Sequence, residues 1–478
     1  VRLPGPVALL YDMLPPPAAE AALSLYGLRN PLRERTWGRI LRRCAASETW
    51  NEEEQSRYVS ATLRTLLAHA LTDVPRYRPY RSLLGELRGP DEHVVALLRE
   101  LPVTTKAEVR EDPTAFMAAS VPDRCCIVSH TSGTTGTPLA LRMTRNAVAV
   151  SDALWWRRAI WAGYRRGDSE ARLVLSPAVP LRGPWSTVPY RRSWTDRRLH
   201  LSPFHLEEQT IDELRRQIVR FRPDFILGYS SSLYILTTLR EAPIATDDWR
   251  PKAVLYSGDS LHPHQRERLE SSFVAPIRGL YGCMERVISA ADCAQGNLHL
   301  SLIDGYVEGQ LTGEPPAEGP YVTGLLNAAM PLLRYDLGDA LTFRRGFSCP
   351  CGRTLPVIEP VITREDDVLV TPSGRRVGSA VAEAFKGLPG LRMAQVVQRS
   401  ARHLEVLVDT RERDYDPVAA TVRKRLGRFT FGEMEVTVTR RAALAIRHGT
   451  KARLIINEHR PKLSGLPRRP GQDLEPGR

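Results

Sequence analysis

The chain carries 478 residues, 42% of them apolar, with 67 basic against 54 acidic side chains and a formal net charge of +13. That length exceeds what one hydrophobic core sustains, so two or more domains are expected, and no apolar run reaches the roughly eighteen residues of a membrane span. The basic residues are scattered along the chain and are not interleaved with aromatics as in a strand-binding groove, which argues against a nucleic-acid partner.

The opening segment, broken by Asp12 and Pro15-Pro16-Pro17, suits neither a secretion signal nor an anchor, so a cytoplasmic protein with no membrane partner is expected. The first 120 residues read mostly as helix, with apolar positions at helical spacing in 58–71. A β-prone run, 126–130, then leads into Thr131-Ser132-Gly133-Thr134-Thr135-Gly136-Thr137-Pro138. Glycines there let backbone N–H groups converge on an anion while hydroxyls add uncharged donors, so the segment predicts a loop that grips a nucleotide triphosphate. It is not a Walker-type loop, because Thr137 stands where that motif needs lysine.

From about residue 125, strand-like runs at 171–175, 225–228 and 253–256 alternate with helical stretches at 211–221 and 233–240. That alternation predicts βαβ units and an α/β fold with a parallel or mixed sheet flanked by helices, its ligands at the carboxyl ends of the strands. After Gly319 strands shorten, and a boundary is expected near Arg364. Helix-like 378–385, strand-like 393–397 and 403–408, helix-like 417–426 and strand-like 434–438 make a small α+β C-terminal domain. The expected division is therefore 1–363, 364–463 and a disordered Pro/Gly/Arg-rich tail at 464–478.

Seven cysteines, an odd number, argue for free thiols or metal ligands over a disulfide framework. Cys293 and His299, with Cys349-Pro350-Cys351, offer three thiolates and an imidazole, a set suited to a structural Zn²⁺. Cys44, Cys125 and Cys126 read as ordinary buried thiols. Only six basic residues are lysines: Lys106, Lys252, Lys386, Lys424, Lys451 and Lys462. Each merits scrutiny, since arginine does not replace a point-charge ammonium. Gly258-Asp259-Ser260-Leu261 spells a hydrolase label, but mid-chain after a strand it lacks that family's context.

Taken with the 131–138 loop, four further segments stand in a recognisable order: Tyr256-Ser257-Gly258-Asp259, Tyr281-Gly282-Cys283-Met284-Glu285, Arg334-Tyr335-Asp336-Leu337-Gly338-Asp339, and Arg364-Glu365-Asp366-Asp367. From about Leu63 to Asn457 the chain resembles the adenylate-forming superfamily, on its phenylacetate–CoA ligase-like branch that includes capsule-biosynthesis adenylyltransferases. The resemblance implies ATP held by Thr131 to Gly136, with Ser257, Gly258, Asp259, Tyr281 and Gly282 beside the adenine and acyl group. It further implies Mg²⁺ on Glu285, ribose hydroxyls on Asp339 and Arg364, and a hinge at Asp366 about which a mobile small domain turns. Lys451, in Gly449-Thr450-Lys451, matches the catalytic lysine, although Thr450 intrudes where the family has Gly-Lys, and Thr363 replaces a usual glycine. Members of the branch carry a Cys/His cluster in the same region.

By the same resemblance the acyl pocket lies around Tyr229 and Ser230, with His130 and Trp185 as further candidates. Aromatic walls and small hydroxyls there suit a hydroxy- or amino-substituted aryl acid. Thr371-Pro372-Ser373-Gly374-Arg375 departs from the loop of true phenylacetate–CoA ligases, so transfer to a small-molecule amine or hydroxyl is expected, with CoA as the alternative acceptor and a homodimer allowed. A catalytically degenerate nucleotide-binding module would lack Lys451, Asp339 or Glu285, and all three are present.

Overall fold

The computed structural model describes residues 5–28, 30–130, 139–174, 176–180, 183–206, 208–258, 261, 263–311, 320–339, 341–359, 369–373, 376–377, 381, 384–385, 388, 391–410, 414–441 and 454–459. The predicted helical N-terminal part holds. Helices α1 (Gly5–Met13), α2 (Pro16–Gly27) and α3 (Asn30–Ala45) are followed by α4 (Glu52–Asp73), α5 (Asp91–Arg99) and α6 (Lys106–Glu111). Helix α4 starts where Asn51 accepts from the Glu54 amide and the Glu54 carboxylate accepts from the Asn51 amide, a reciprocal cap. Its Val59, Leu63, Leu66, Leu67, Ala70 and Leu71 recur at three- and four-residue spacing and are buried.

Strands β1 (Cys126–His130) and β2 (Ala140–Thr144) pair antiparallel, with His130 opposite Ala140. The 131–138 loop therefore joins the ends of a hairpin, and its own residues lie outside the described set. Among the described residues the hairpin has no other strand neighbour, and Ile127 and Val128 are 38% and 59% exposed. The same edge position corrects the expectation for two thiols: Cys125, in a short turn at the start of β1, is exposed and Cys126 is half-buried, whereas Cys44 is buried as expected.

Helix α7 (Arg145–Trp161) precedes β3 (Glu170–Leu173), β4 (Tyr190–Ser193) and β5 (Arg198–Leu201), then α8 (Ile211–Phe221), β6 (Phe225–Tyr229), α9 (Ser230–Thr238), β7 (Ala253–Ser257), α10 (Pro263–Phe273) and β8 (Ile277–Gly282). Strands β9 (Ser289–Asp292), β10 (Leu298–Leu300), β11 (Gly305–Val307), β12 (Val322–Gly324) and β13 (Val357–Ile358) follow. Nine of these form one sheet in the order β13-β10-β9-β8-β7-β6-β3-β5-β4. The run β8-β7-β6-β3-β5 is parallel, as the βαβ alternation predicts, while both ends are antiparallel, so the sheet is mixed. Ile226, Val254 and Ile277 face α8, α9 and α10, burying Leu214, Ile218, Leu236 and Phe273 against them.

After β14 (Leu369–Val370) and β15 (Arg376–Val377), the strands β16 (Leu391–Ser400), β17 (His403–Thr410), β18 (Glu435–Arg440) and β19 (Ile455–Asn457) make a separate four-stranded sheet, order β18-β17-β16-β19, with helix α11 (Tyr415–Phe429). Val396, Val406, Val408, Val422 and Leu426 form its own core, which Phe204 joins edge-on to Phe429. The expected helix 417–426 is this α11, extended at both ends, and most of the expected helix 378–385 lies outside the described residues. Among the described residues no helix is long and apolar enough to cross a membrane.

Candidate active site

The parallel strands fix the first part of the site. In the register, Tyr229 at the end of β6 faces Ser257 at the end of β7, and Ser257 faces Leu280 on β8, one residue before Tyr281. Tyr229, Ser257, Gly258, Tyr281 and Gly282 thus meet at the carboxyl ends of three adjacent strands, where an α/β sheet presents ligands. Ser230, buried, opens α9 beside them. Gly258 has φ +93°, and a Cβ there would come within 2.9 Å of the Tyr229 ring, so both conformation and space call for glycine. Trp185 lies in the turn leading into β4, the strand at the far edge of the sheet, and its carbonyl accepts from Arg191. Trp185 is thus in the loop that leaves the carboxyl end of β3, the neighbour of β6 in the sheet, and its place in the acyl pocket stays a proposal. His130 ends β1 at the base of the loop.

The second part comes from chain segments far apart. Thr104 bridges Tyr335, with the Thr104 amide donating to the Arg334 carbonyl at 3.0 Å and the Asp336 amide to the Thr104 carbonyl at 2.9 Å. Two residues on, Lys106 begins α6 and its Nζ donates to Glu285 Oε1 at 2.8 Å, while the Tyr335 hydroxyl donates to the same oxygen at 3.0 Å. The Glu285 side chain is only 5% exposed. Burial alone would raise its pKa, but the Lys106 ammonium and its hydrogen bond outweigh that and hold the carboxyl below its ordinary value. Sequence reasoning singled out Lys106 only as a rare lysine. A second signal was available, since a cation in the first turn of a helix opposes the dipole and calls for a partner elsewhere.

The Tyr281 hydroxyl donates to Asp339 Oδ2 at 3.1 Å. Burial, then the Asp339 carboxylate, pushes the tyrosine pKa up, so it remains a protonated donor. Asp339 itself is exposed, at the end of a turn in which Asp336 Oδ1 accepts from the Gly338 amide at 2.7 Å and Gly338 takes φ +67°. Arg334 of the same motif is a strut: its Nε donates to Glu308 at 2.8 Å and its Nη1 to the Leu101 carbonyl at 2.6 Å. The loop 131–138, Asp259, Arg364, Asp366 (expected as the hinge) and Lys451 lie outside the described residues.

A cysteine and histidine cluster lies where the expected ligands converge. Cys293 follows β9, His299 is in β10, and Cys349 and Cys351 precede β13; one ligand atom from each lies within 4.8 Å of all the others. Cys293 Sγ and Cys349 Sγ are 3.7 Å apart and Cys351 Sγ is 3.4 Å from His299 Nε2. A disulfide needs about 2.05 Å between sulfurs, whereas a tetrahedron of Zn–S bonds near 2.3 Å puts ligand atoms roughly 3.5–3.8 Å apart. His299 Nδ1 is 3.1 Å from the Leu355 carbonyl and Asn297 donates to Cys349 Sγ at 3.2 Å, which fixes the tautomer that turns Nε2 toward the sulfurs. The donor set and spacing fit Zn²⁺.

No family model matches the chain. It is 24% identical over 346 residues to a phenylacetate-coenzyme A ligase of Thermus thermophilus, covering 68% of this chain and 73% of that protein. To protein CapK of Staphylococcus aureus it is 23% identical over 286 residues, covering 58% and 60%. Among solved structures, 2-hydroxyisobutyryl-CoA ligase with its acyl-AMP and CoA superposes with TM-score 0.52 at 18% identity, covering 86% of this chain and 91% of that one. Its post-adenylation form gives 0.51 over the same shares. In fold the chain is like 2-hydroxyisobutyryl-CoA ligase, and over about two thirds of its length it is similar in sequence to a phenylacetate-coenzyme A ligase, in line with the resemblance to the adenylate-forming superfamily that its order of motifs carries.

Proposed function

We propose that the protein activates a hydroxy- or amino-substituted aryl acid as its acyl-AMP, releasing pyrophosphate, and then passes the acyl group to a small-molecule amine or hydroxyl. The observation that carries this reading is the convergence of Lys106, Glu285 and Tyr335 beside the Tyr281–Asp339 hydrogen bond, at the carboxyl ends of β6 to β8. In this reading the acid lies against Tyr229, Ser230 and Gly258, and Asp339 accepts from the ribose hydroxyls, a role for which a carboxylate has two oxygens. Glu285 offers one hard oxygen, its Oε2, because Oε1 is held by Lys106 and Tyr335; that suits Mg²⁺, which takes one or two carboxylates and fills its shell from phosphates and water. When bound, the ion neutralises phosphate charge as pyrophosphate departs. Thr131 to Gly136 supply phosphate donors, Arg364 a ribose contact, and Lys451 the ammonium that bridges carboxylate and α-phosphate. Cys293, His299, Cys349 and Cys351 hold a structural Zn²⁺, with four protein ligands and no open position for chemistry.

The activity named for the Thermus relative supports a second reading, in which CoA is the acceptor and an acyl thioester the product. Either acceptor attacks after the small domain turns about Asp366. The deciding experiment is pyrophosphate exchange into ATP across a panel of aryl acids, followed by mass detection of adducts with CoA and with candidate amines and alcohols. Exchange that depends on one acid is expected. Binding of ATP without exchange for any acid would instead indicate a degenerate nucleotide-binding module.

A further inference from the structure

Twelve large apolar side chains are exposed among the described residues, and six of them gather on one small part of the molecule. Leu9, Leu10 and Met13 on α1 are 69%, 69% and 60% exposed; Leu25 and Leu28, in and just after α2, are 70% and 59%; Trp194, just after β4, is 61%. The spacing of each helical set, i, i+1, i+4 and i, i+3, puts it on one face of its helix. Both helices lie over the same sheet edge. The Glu20 carboxylate accepts from the Arg192 amide and Ser24 Oγ from the Trp194 amide, which seats α2 along β4. On α1, the Tyr11 hydroxyl donates to the Ala178 carbonyl, and the Met13 sulfur lies beside Gly183 in the loop that leads into β4. Helix α2 thus covers the edge strand β4 and α1 the loop that leads into it, and their leucines are exposed to solvent. Scattered apolar residues on a surface need no explanation, but five of the twelve in or just after two short helices, with Trp194 on the strand end that α2 covers, do.

The charge around the patch selects the partner. Arg192 stacks its guanidinium 5.6 Å from the Trp194 ring, and Arg197, three residues on, is exposed. Helix α3 begins three residues after α2 ends, and its Arg35, Arg39 and Arg42 are all exposed at positions i, i+4 and i+7, one stripe. Against the expectation of no membrane partner, we propose that α1, α2 and the arginines that follow in α3 dock the protein on an anionic lipid surface, leucines, methionine and tryptophan entering the interface and guanidinium groups meeting phosphate headgroups. Helices α1 and α2 carry no basic residue of their own, so the apolar contact would come from them and the charge from the arginines of α3 and of the turn after β4.

The test uses the full chain and is independent of the reaction proposed above. Sedimentation with vesicles of equal parts phosphatidylglycerol and phosphatidylcholine should carry the protein into the pellet at low salt, and pure phosphatidylcholine should not. Leu9→Ser/Leu10→Ser/Met13→Ser should lower the partition at least about tenfold, and so should Arg35→Gln/Arg39→Gln/Arg42→Gln. Leu25→Ser, at a 70% exposed position, is a second probe that cannot act by unfolding the core, and circular dichroism should show every variant folded. No pelleting with anionic vesicles overturns the proposal. So does pelleting that the serine variants leave unchanged, which would be general charge attraction, and so does self-association that those variants dissolve while vesicles are ignored.

Discussion

A buried carboxylate with one ammonium beside it cannot lose that partner cheaply. Glu285 is such a group, and Lys106→Met would leave it with the Tyr335 hydroxyl and its own backbone amide but no cation. The expected cost is about 3–5 kcal/mol in a denaturation experiment, or a Glu285 that takes up a proton instead. Since the ammonium now holds the carboxyl ionised, its removal should move the acid limb of acid-dependent pyrophosphate exchange to higher pH, while Lys106→Arg restores part of the shift. An acid limb that stays in place in Lys106→Met would mean that the ion pair does not govern Glu285. Asp304, fully buried after β10, behaves in the opposite way. Burial pushes its pKa up to about 6, and the hydroxyls of Ser289 and Ser301 and the Arg157 guanidinium pull it back only partly. A carboxyl raised in the folded state contributes stability below its unfolded pKa and loses it as pH rises through about 6. Asp304→Asn should therefore gain on the wild type between pH 4 and pH 7, by up to about 3 kcal/mol, read from urea midpoints at each pH. A flat difference would show that Asp304 titrates normally.

At the scale of elements, a local code and a distant code differ in how plainly they can be read. The strands at 225–229 and 253–257 and helix α8 fall where periodicity puts them, because a buried parallel strand and an amphipathic helix write their environment into consecutive residues. Helix α9 begins at Ser230, three residues before the expected start, since its opening serines carry no apolar signal. The pairing of Thr104 with Tyr335 spans more than two hundred residues and has no local trace, which is why Lys106 could be marked as rare but not assigned. The Cys/His cluster was legible because its ligand types are scarce, although nearly fifty residues part His299 from Cys349. Its expected content is one zinc per chain by mass spectrometry of the metal, lost in Cys349→Ser or in His299→Ala with a fall in the melting temperature of several degrees. A protein purified without zinc, and no more stable when zinc is restored, would contradict the proposed ion.

For the whole molecule, the fold was readable as an α/β body followed by a smaller α+β unit, and the four-stranded sheet with its own core agrees with that reading. What could not be read was the site as an assembly, because it draws on residues 106, 229, 257, 281, 285, 335 and 339, which only the sheet order and the 104–335 bridge bring near one another. The proposed division of labour between lobes has its own test. Lys451→Ala should depress pyrophosphate exchange by about a hundredfold or more while leaving transfer from a supplied acyl-AMP nearly intact, whereas Asp339→Asn should weaken ATP binding itself. Equal loss of both half-reactions in Lys451→Ala would remove that lysine from its assigned step.

The close approach of Gly258 to the Tyr229 ring sits on strands β6 and β7, whereas the ion pair of Glu285 and the Asp339 turn are braced from segments 104–106 and 334–339. The two sets of supports meet at β8, which pairs with β7 and whose Tyr281 donates to Asp339. In the function proposed above, exchanges at Tyr229 or Ser230 would retool which acid is accepted while the contacts among Lys106, Glu285 and Tyr335 stay in place.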